Sequence, residues 1–267
     1  MDDKTILITG STDGIGKQAA FELAELGARV ILHGRNKSKV KRVLQEFEQK
    51  IGNDQLDFFI ADLSSLQQIR TMGTEILRKY NRLDVLINNA GVAMNKLEMS
   101  DDGYEMTFAV NHLAVFAFTL LLLDLMTQSA PSRIINVSSM AHSSSLNFEN
   151  LVESRNFDGW EVYCQSKLCN ILFTYELAEK LQNQGVTVNC LHPGVINTKL
   201  LRVNFGGGRP VTEGSRKLAY LATAPELETV TGKYFSDNRQ TRSAEITYDA
   251  ETRKKLWNLS EKLCGLR

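Results

Sequence analysis

Tyr163 and Lys167 stand four residues apart in the stretch YCQSK, within a segment whose pattern predicts a helix. Residues i and i+4 share one face of a helix, so the phenol and the ammonium would lie one turn apart. An ammonium beside a phenol favours the phenolate and lowers the pKa of the tyrosine, which suits a group that exchanges a proton near neutral pH. A surface helix also places such a pair by chance, so the rest of the chain must decide between these interpretations.

A pair of serines, Ser138 and Ser139, follows the apolar run that precedes this helix. In an α/β sheet, the carboxyl ends of the parallel strands form the rim at which ligands bind. A serine hydroxyl on that rim can donate a hydrogen bond to a carbonyl oxygen and stabilise developing alkoxide charge. Tyr163, Lys167 and a serine of this pair together predict proton transfer to and from a carbonyl or an alcohol, with no need for a metal ion.

Short apolar runs alternate with helical patterns along the chain, which predicts βαβ units and a parallel sheet covered on both faces. The predicted strands are Thr5–Thr9, Arg29–His33, Asp57–Ala61, Val85–Ile87, Arg133–Val137, Thr187–Leu191 and Gly232–Phe235. The predicted helices are Ile15–Leu26, Lys37–Lys50, Leu66–Tyr80, Gly103–Gln128, Glu161–Gln184, Thr212–Thr223 and Ala250–Leu263. No repeat or linker interrupts this order, so we expect one α/β domain over residues 1–267.

The first predicted strand runs into the glycine-rich stretch TGSTDGIG and then into a helix. Glycines allow the tight turn and the close approach to a pyrophosphate, and the helix N-terminus offers free N–H groups. This context indicates a dinucleotide-binding, Rossmann-type fold, with a plain strand-to-helix turn as the alternative. The predicted cofactor contacts in the turn are Gly10, Ser11, Thr12, Gly14, Ile15 and Gly16.

The end of the second predicted strand bears on the choice between NADP and NAD. An acid at this position binds the 2′-hydroxyl of NAD, whereas an arginine pairs with the 2′-phosphate of NADP. This chain has Arg35 and Asn36 there, with Lys37 and Lys39 close by, so NADP(H) is favoured over NAD(H). Asp13 in the glycine turn would repel the same phosphate, and an Arg35 that only faces solvent is the alternative.

Further predicted cofactor contacts end the third and fourth strands. Asp62 is placed to bind the adenine amino group, and Leu63 to flank the ring. The stretch NNAG brings Asn89, Ala90 and Gly91 to the nicotinamide ribose, where small residues allow close approach. A structural role for the two asparagines, in which they tie neighbouring strands together, is equally open.

Two long connections, about 141–158 and 200–211, are predicted as loops that border the substrate. The apolar side chains in or beside them predict an apolar substrate of moderate size, although these residues would also serve to anchor the loops. They are Phe148, Trp160, Leu200, Leu201 and Phe205. His142, which closely follows the catalytic strand, is a candidate substrate contact together with Ser139 and Leu200.

The composition excludes several classes of protein. Thirty-one basic residues balance 31 acidic residues, which leaves no charge footprint for nucleic acid or an anionic membrane. The four cysteines and four histidines lack the spacing of metal ligands, so reduced thiols and no metal site are expected. The apolar run Leu113–Leu123 is shorter than the roughly 20 residues of a spanning helix, and no leader precedes the first strand. We therefore expect a cytoplasmic protein without a membrane anchor.

These motifs resemble those of the short-chain dehydrogenase/reductase family over essentially the whole chain. The matching stretches are TGSTDGIG, ADL, NNAG, VNH, INVSS, YCQSK and HPGVINT. The resemblance implies that Tyr163 is the general acid/base and that Lys167 lowers its pKa and binds the nicotinamide ribose. It also implies that Ser139 orients the substrate carbonyl, while Asn111 kinks a helix and holds a water in the proton relay.

The stretch HPGVINT resembles the segment that lies against the nicotinamide, which adds Pro193, Gly194, Ile196 and Thr198 as cofactor contacts. The resemblance also implies the sheet order 3-2-1-4-5-6-7, and the two long apolar helices resemble those that form a homodimer or homotetramer. HPGV and the C-terminal region resemble the retinol dehydrogenase-like branch, whose animal members often carry an N-terminal anchor. Neutral residues are usual there at the position of Asp13, so retinoid specificity does not transfer.

The expected function is therefore NADP(H)-dependent hydride transfer between the nicotinamide and a carbonyl or alcohol substrate. Three alternatives stay open. One is a redox sensor that binds NADP(H) without turnover, and another is an NAD-dependent alcohol dehydrogenase. The third is a nucleotide-sugar epimerase or dehydratase, although such enzymes usually carry a larger C-terminal domain.

Overall fold

The computed structural model describes residues 1–52, 55–153, 156–200 and 207–266. The strands are β1 (Thr5–Ile8), β2 (Arg29–Gly34), β3 (Leu56–Ile60), β4 (Val85–Asn88), β5 (Ser132–Val137), β6 (Val186–His192), β7 (Lys233–Ser236) and β8 (Arg239–Gln240). They form one sheet in the order β3-β2-β1-β4-β5-β6-β7-β8. The first seven are parallel and β8 runs antiparallel to β7, so the predicted order 3-2-1-4-5-6-7 and the Rossmann-type fold are confirmed.

The helices are α1 (Gly14–Glu25), α2 (Lys37–Ile51), α3 (Leu66–Lys79), α4 (Met106–Phe108), α5 (Ala114–Gln128), α6 (Phe148–Glu153), α7 (Gly159–Lys180), α8 (Val211–Thr223) and α9 (Ala250–Leu263). A π-helical turn, Ala109–Leu113, joins α4 to α5. Side-chain caps define several starts, because an oxygen at the N-cap satisfies a free N–H group of the first turn. Asp13 caps α1, Asn36 caps α2 and Asp158 caps α7.

Both faces of the sheet are buried. Successive side chains of a strand point to opposite faces, and in β1 Ile6 and Ile8 join one core cluster while Leu7 joins the other. The cluster around Leu7 fills the side covered by α3, α5, α7 and α9, and the cluster around Ile6 fills the side covered by α1, α2 and α8. Residues that end the strands are consequently the ones available to form a site at the rim.

Of the strands and α-helices named above, β8 and α6 were not predicted. The strand β8 follows a tight turn in which Asp237 and Asn238 both have positive φ, at 48° and 59°, the geometry of a two-residue hairpin turn. The helix α6 lies inside the stretch 141–158, for which no regular structure was expected. Asn147 Oδ1 accepts from the backbone N–H of Asn150 at its start, but six residues are too few for a helical period to stand out.

One helical segment among the described residues, Met106–Gln128, is long and apolar enough to cross a membrane. However, 78% of its most apolar window is buried inside the fold. Part of its cover comes from α9, whose Trp257 packs edge-on against Phe116 of α5 at 5.0 Å between ring centroids. The same indole lies 5.9 Å from the ring of Phe173 on α7. The chain's own C-terminal helix therefore covers part of the two helices that resembled subunit contacts.

Candidate active site

The residues that could take part in proton transfer lie at the end of β5 and in the first turns of α7. Asp158 Oδ1 accepts from the N–H groups of Trp160 and Glu161, which begins α7 immediately before Tyr163. The Ser138 hydroxyl, one residue beyond β5, donates to the carbonyl oxygen of Lys167 at 2.7 Å. This bond joins the strand end to the helix and holds Ser139 beside the face of α7 that bears Tyr163.

Ser139, Tyr163 and Lys167 converge at this junction. The side chains of Ser139 and Tyr163 are hydrogen-bonded, and both residues are buried. The ammonium nitrogen of Lys167 lies 5.6 Å from the centroid of the Tyr163 ring and donates to the carbonyl oxygen of Val137 at 3.2 Å. The three groups that the sequence singled out are thus brought together at a single point of the sheet rim.

The direction of the Tyr163 pKa differs from the expectation. Burial raises the pKa of Tyr163 to about 12, and the hydrogen bond from Ser139 offsets this only in part. Burial also lowers the pKa of Lys167 to about 8. The predicted lowering of the tyrosine pKa by Lys167 was wrong for this state, because loss of water penalises the charged form of both groups. Tyr163 is a protonated phenol at neutral pH, ready to donate.

Asn111 lies behind Lys167 in the π-helical turn and is fully buried. Its Nδ2 donates to the carbonyl oxygen of Val92 at 2.9 Å and to Ser166 Oγ at 3.0 Å. A Cβ placed on Gly91 would lie 3.3 Å from both Asn111 Oδ1 and Lys167 Nζ. Gly91 therefore leaves room for the asparagine and the ammonium to approach one another.

The asparagines of NNAG hold the sheet together. Asn88 Nδ2 donates to Thr119 Oγ1 and to Asn136 Oδ1, which lies on the neighbouring strand. Asn89 Nδ2 donates to the carbonyl oxygen of Thr9 at 2.8 Å, at the start of the glycine turn. Both side-chain amides therefore have the structural role that was one of the two alternatives, in which they tie neighbouring strands together.

His33 is a residue that sequence reasoning missed. It is buried in β2, its Nδ1 accepts from the N–H of Gly10 at 3.1 Å, and its Nε2 lies 3.2 Å from the carbonyl oxygen of Ala61. Burial lowers the pKa of His33 to about 4, so the ring is neutral and Nε2 carries the proton. The imidazole fastens the glycine turn to the end of β3. Its only signal in the sequence was its place at the end of the predicted second strand, Arg29–His33.

Several residues predicted to bind the adenosine part of the cofactor have partners within the protein. The Arg35 side chain is 75% exposed, and its Nη1 lies 3.9 Å from Asp62 Oδ2. Asn36 Oδ1 accepts from the N–H of Lys39, so it serves as the cap of α2, while Leu63 is buried in the core. Arg35 is thus a predicted 2′-phosphate ligand whose side chain is largely open to solvent.

The segment after β6 lies across the glycine turn. Pro193 and Ile196 are buried, and Ile196 forms an isolated bridge with Arg209. A Cβ on Gly14 would meet Thr198 Cγ2 at 3.3 Å, so this segment touches the start of α1. Leu200 is half-buried, and the predicted pocket residues Leu201 and Phe205 lie outside the described residues.

His142 was predicted to meet the substrate, but both of its ring nitrogens bond to the backbone. Its Nδ1 lies 2.7 Å from the carbonyl oxygen of Ser139, and its Nε2 accepts from the N–H of Ala244 at 3.1 Å. The ring is therefore a brace between the end of β5 and the segment before α9. A polar contact with a substrate would require one of these bonds to break.

Comparison with known proteins places these observations in a family. The model of the short chain dehydrogenase family matches residues 4–205. Retinol dehydrogenase 13 of Homo sapiens is 42% identical, with 98% of this chain and 85% of the relative covered. Retinol dehydrogenase 14 of Mus musculus is 39% identical, with 100% and 87% covered. The chain belongs to the short-chain dehydrogenase/reductase family.

Solved structures agree with this assignment. A protein from Mycobacterium paratuberculosis superposes with a TM-score of 0.82 at 30% identity, covering 99% of this chain and 94% of that one. A short chain dehydrogenase of Shigella flexneri, complexed with NADP, gives a TM-score of 0.73 at 27% identity, covering 90% and 98%. The resemblance to the retinol dehydrogenase-like branch is confirmed, and this short-chain dehydrogenase is an oxidoreductase that acts on CH–OH and C=O groups.

The glycine turn of this dehydrogenase fits a nicotinamide dinucleotide, the cofactor type of the family. Gly10 and Gly14 have φ values of +66° and +54°, which L side chains rarely adopt. A Cβ on Gly16 would approach Asn89 Nδ2 to 2.3 Å and Gly10 O to 2.6 Å, so only glycine lets α1 start this close to β4. The turn thus presents bare backbone and the first N–H groups of α1, which suit phosphate oxygens.

Exposed apolar side chains lie in the first turn of α7 and just after the ends of β5 and β6. The indole of Trp160 stacks on the Tyr163 ring, with centroids 5.6 Å apart and planes inclined by 19°. Met140, just after β5, and Val195, just after β6, are also exposed. Apolar side chains near a few polar groups are typical of sites for small-molecule ligands.

Proposed function

We propose that this short-chain dehydrogenase is an NADP(H)-dependent oxidoreductase of an apolar carbonyl or alcohol substrate. The convergence of Ser139, Tyr163 and Lys167 beside the glycine turn is the observation that carries the proposal. When bound, the nicotinamide would supply the hydride to a carbonyl carbon, or accept it from an alcohol carbon. The residues of the chain supply the proton and hold the reacting oxygen.

Tyr163 is the general acid for reduction. Its pKa of about 12 keeps the phenol protonated at neutral pH, and its proton forms the new O–H bond of the alcohol. The Ser139 hydroxyl donates to the same substrate oxygen and shares its developing charge. In the direction of oxidation, the phenolate of Tyr163 would take the proton back from the alcohol.

Lys167 stabilises the phenolate that remains after proton transfer. Its pKa of about 8 leaves the ammonium mostly charged at pH 7, at 5.6 Å from the centroid of the Tyr163 ring. Asn111 supports this arrangement from the π-helical turn, where it would hold a water in the proton relay. We propose Ser139, Tyr163, Lys167 and Asn111 as the catalytic set.

The cofactor would lie along the rim from the glycine turn to the segment after β6. The proposed contacts share the property of ending a parallel strand or beginning the helix that follows it. They are Gly10, Ser11, Thr12, Gly14, Ile15, Gly16, Arg35, Asn36, Asp62, Leu63, Asn89, Ala90, Gly91, Tyr163, Lys167, Pro193, Gly194, Ile196 and Thr198. The side chains of Asn36 and Asn89 are already hydrogen-bonded within the protein. These residues would contact the cofactor through their backbone atoms or through van der Waals contact.

NADP(H) is proposed over NAD(H) because Arg35 is exposed where the 2′-phosphate would stand. Lys39 adds a second positive charge one turn into α2. The similar short chain dehydrogenases of Shigella flexneri and Escherichia coli, each 27% identical, are complexed with NADP and NADPH. These neighbours support the preference.

The proposed substrate is an apolar primary or secondary alcohol, or the matching aldehyde or ketone. The exposed side chains of Met140, Trp160 and Val195 would cover its apolar part. The curated relatives are named retinol dehydrogenases, which supports a large apolar substrate without specifying a retinoid. Ser139 and Leu200 are the proposed substrate contacts, and His142 would add contacts through its ring.

We propose the chain as one catalytic domain that acts in the cytoplasm. All four cysteines are buried free thiols, as expected in a reducing compartment. A homodimer or homotetramer remains a prediction from the resemblance. Since α9 covers part of α5 and α7, any such assembly would use the parts of these helices that α9 leaves open.

The test is Tyr163→Phe, with Tyr220→Phe on α8 as the matched control. Turnover of NADPH with a panel of apolar aldehydes and ketones is followed by absorbance, and binding of NADPH by fluorescence. Loss of the proton donor should lower kcat by about 100-fold or more, while the dissociation constant of NADPH changes little. Wild-type turnover in Tyr163→Phe would refute the mechanism, and binding without turnover in the wild type would favour the redox sensor.

A further inference from the structure

Asp13 lies where the glycine turn, the start of α2 and the segment after β6 meet. Its Oδ1 accepts from the N–H of Gly14 and thereby caps α1. Its Oδ2 lies 2.9 Å from Nζ of Lys39 in the first turn of α2. The same oxygen lies 3.2 Å from Nζ of Lys199, in the segment after β6. One carboxylate therefore holds two ammonium groups from separate elements.

These ion pairs are open to exchange. The side chain of Asp13 is 53% exposed and that of Lys199 is 82% exposed. Exposed pairs of this kind contribute little stability, because water and salt screen them. A phosphate dianion offers more charge and more acceptor oxygens than one carboxylate, so it forms the stronger charge-assisted bonds. A phosphate that arrives beside Lys39 would displace the carboxylate from it.

Asp13 is charged throughout the working pH range. Burial raises its pKa, but the hydrogen bonds from Lys39, Gly14 N–H and Lys199 outweigh burial and bring the pKa to about 2. Protonation therefore does not relieve its repulsion of a phosphate. At this edge the positive groups Arg35, Lys39 and Lys199 face two carboxylates, those of Asp13 and Asp62.

We infer that Asp13 is a built-in counter-anion that competes with the 2′-phosphate of NADP(H) for Lys39 and Lys199, and so limits the preference for NADP(H) over NAD(H). This inference rests on the proposed function, which puts the 2′-phosphate beside Arg35. NAD(H) lacks that phosphate, so it leaves the Asp13 pairs in place. When NADP(H) binds, its 2′-phosphate must replace the Asp13 carboxylate as the partner of the two lysines. The carboxylate then stays close to the phosphate without its partners, and the two negative charges repel each other.

The experiment compares Asp13→Asn with the wild type. Asparagine is as good an N-cap as aspartate, so the start of α1 is retained while one negative charge is removed. Dissociation constants of NADP⁺, NAD⁺, 2′,5′-ADP and 5′-AMP are measured by titration calorimetry at low and high salt. Asp124→Asn, an exposed acid on α5, is the control for the change of net charge.

Asp13→Asn should bind NADP⁺ and 2′,5′-ADP roughly threefold to tenfold more tightly at low salt, the scale of exposed charge interactions. The affinities for NAD⁺ and 5′-AMP should stay within about twofold, and the gain for NADP⁺ should shrink at high salt. Lys199→Met should weaken NADP⁺ binding more in the Asp13→Asn background than in the wild type, where Asp13 already occupies that ammonium.

Equal or weaker binding of NADP⁺ by Asp13→Asn would overturn the inference, as would an equal gain for NAD⁺, which would indicate the pyrophosphate as the competitor. Asp13→Ser, a second neutral N-cap, repeats the test should Asp13→Asn lose stability in thermal unfolding. A wild type that binds neither dinucleotide would instead contradict the proposed function. A wild type that binds and turns over NADP(H), with an unchanged Asp13→Asn, would contradict this inference alone.

Discussion

Asn111 and Val92 exchange two hydrogen bonds that run in opposite directions. Asn111 Nδ2 donates to the carbonyl oxygen of Val92 at 2.9 Å, and the N–H of Val92 donates to Asn111 Oδ1 at 2.8 Å. The amide thus completes the backbone bonding of the segment after β4 from the π-helical turn. It fixes the distance between this segment, which includes Gly91, and the helix that stands behind Lys167.

Asn111→Ala should therefore destabilise the fold as well as slow the reaction. The substitution leaves two backbone groups of the partly buried Val92 and the buried hydroxyl of Ser166 without this partner. We expect a loss of about 2–4 kcal/mol in the free energy of unfolding by urea, together with a lower kcat. Asn95→Ala, an exposed neighbour in the same segment, should change stability by less than about 0.5 kcal/mol. Equal stability of the two variants would contradict this account.

Gly16→Ala tests the close approach of α1 to β4. The added Cβ would stand 2.3 Å from Asn89 Nδ2 and 2.6 Å from the carbonyl oxygen of Gly10, so the turn must shift. We expect a loss of about 1–3 kcal/mol in unfolding free energy and weaker binding of NADPH, measured by its fluorescence. Gly207→Ala is the control, because no atom of the described residues, its chain neighbours aside, lies within 4 Å of a Cβ placed there. A Gly16→Ala protein that binds NADPH like the wild type would show that the turn yields easily.

Substitution of the two tryptophans should affect two different properties, fold stability for Trp257 and substrate binding for Trp160. Trp257 is buried between Phe116 and Phe173, so Trp257→Ala should cost about 3–5 kcal/mol in urea unfolding through the cavity that it leaves. Trp160 is 46% exposed and stacks on Tyr163. Trp160→Ala should change stability by no more than about 1 kcal/mol but raise KM for apolar substrates. Similar losses of stability in both variants would contradict the assigned positions.

The stability of the protein should fall as the pH falls from 6.5 towards 4. Burial lowers the pKa of His112 to about 4, so between these values the unfolded chain binds a proton that the folded chain does not. The contribution of His112 to stability is therefore fully present above pH 6.5 and is lost as the pH falls below it. The pKa values of His33 and His192 are also lowered, so both residues add to the same loss. His112→Phe keeps the contacts with Phe108 and Phe116 but cannot titrate.

Urea midpoints measured across this pH range should therefore fall less steeply for His112→Phe than for the wild type. At neutral pH the variant should lose about 1 kcal/mol, because the hydrogen bond between His112 Nε2 and Ser260 is removed. Identical pH profiles would show that His112 does not titrate between the two states.

The elements that could be predicted were those with a strong local pattern. The buried strand β1 appears in the sequence as an unbroken apolar run, and its turn into α1 as a glycine motif. The strand β8 and the helix α6 were missed because two and six residues carry too little periodicity. Likewise, His33 had no motif of its own, since its role depends on the carbonyl oxygen of Ala61, which directly follows β3.

The candidate site divides in the same way. Tyr163 and Lys167 share one helix, so their spacing could be predicted from helical geometry alone. The pKa of Tyr163 could not, because it depends on the water that tertiary packing removes from the phenol, an effect that the hydrogen bond from Ser139 offsets only in part. The partners of Asp13 also required coordinates, since Lys199 reaches it from a segment that follows a different strand.

The sequence alone determined which chemical groups are present and in which element each one lies, because apolar periodicity and glycine placement act over a few residues. Those local rules were enough for the glycine turn and for the helix that carries Tyr163 and Lys167, whereas the sheet order followed from the resemblance to the family. Only the tertiary structure decided which distant groups share a carboxylate, which amides are consumed in holding the strands, and which way the phenol titrates. These properties depend on burial and on contacts between elements, and no local pattern in the chain encodes them.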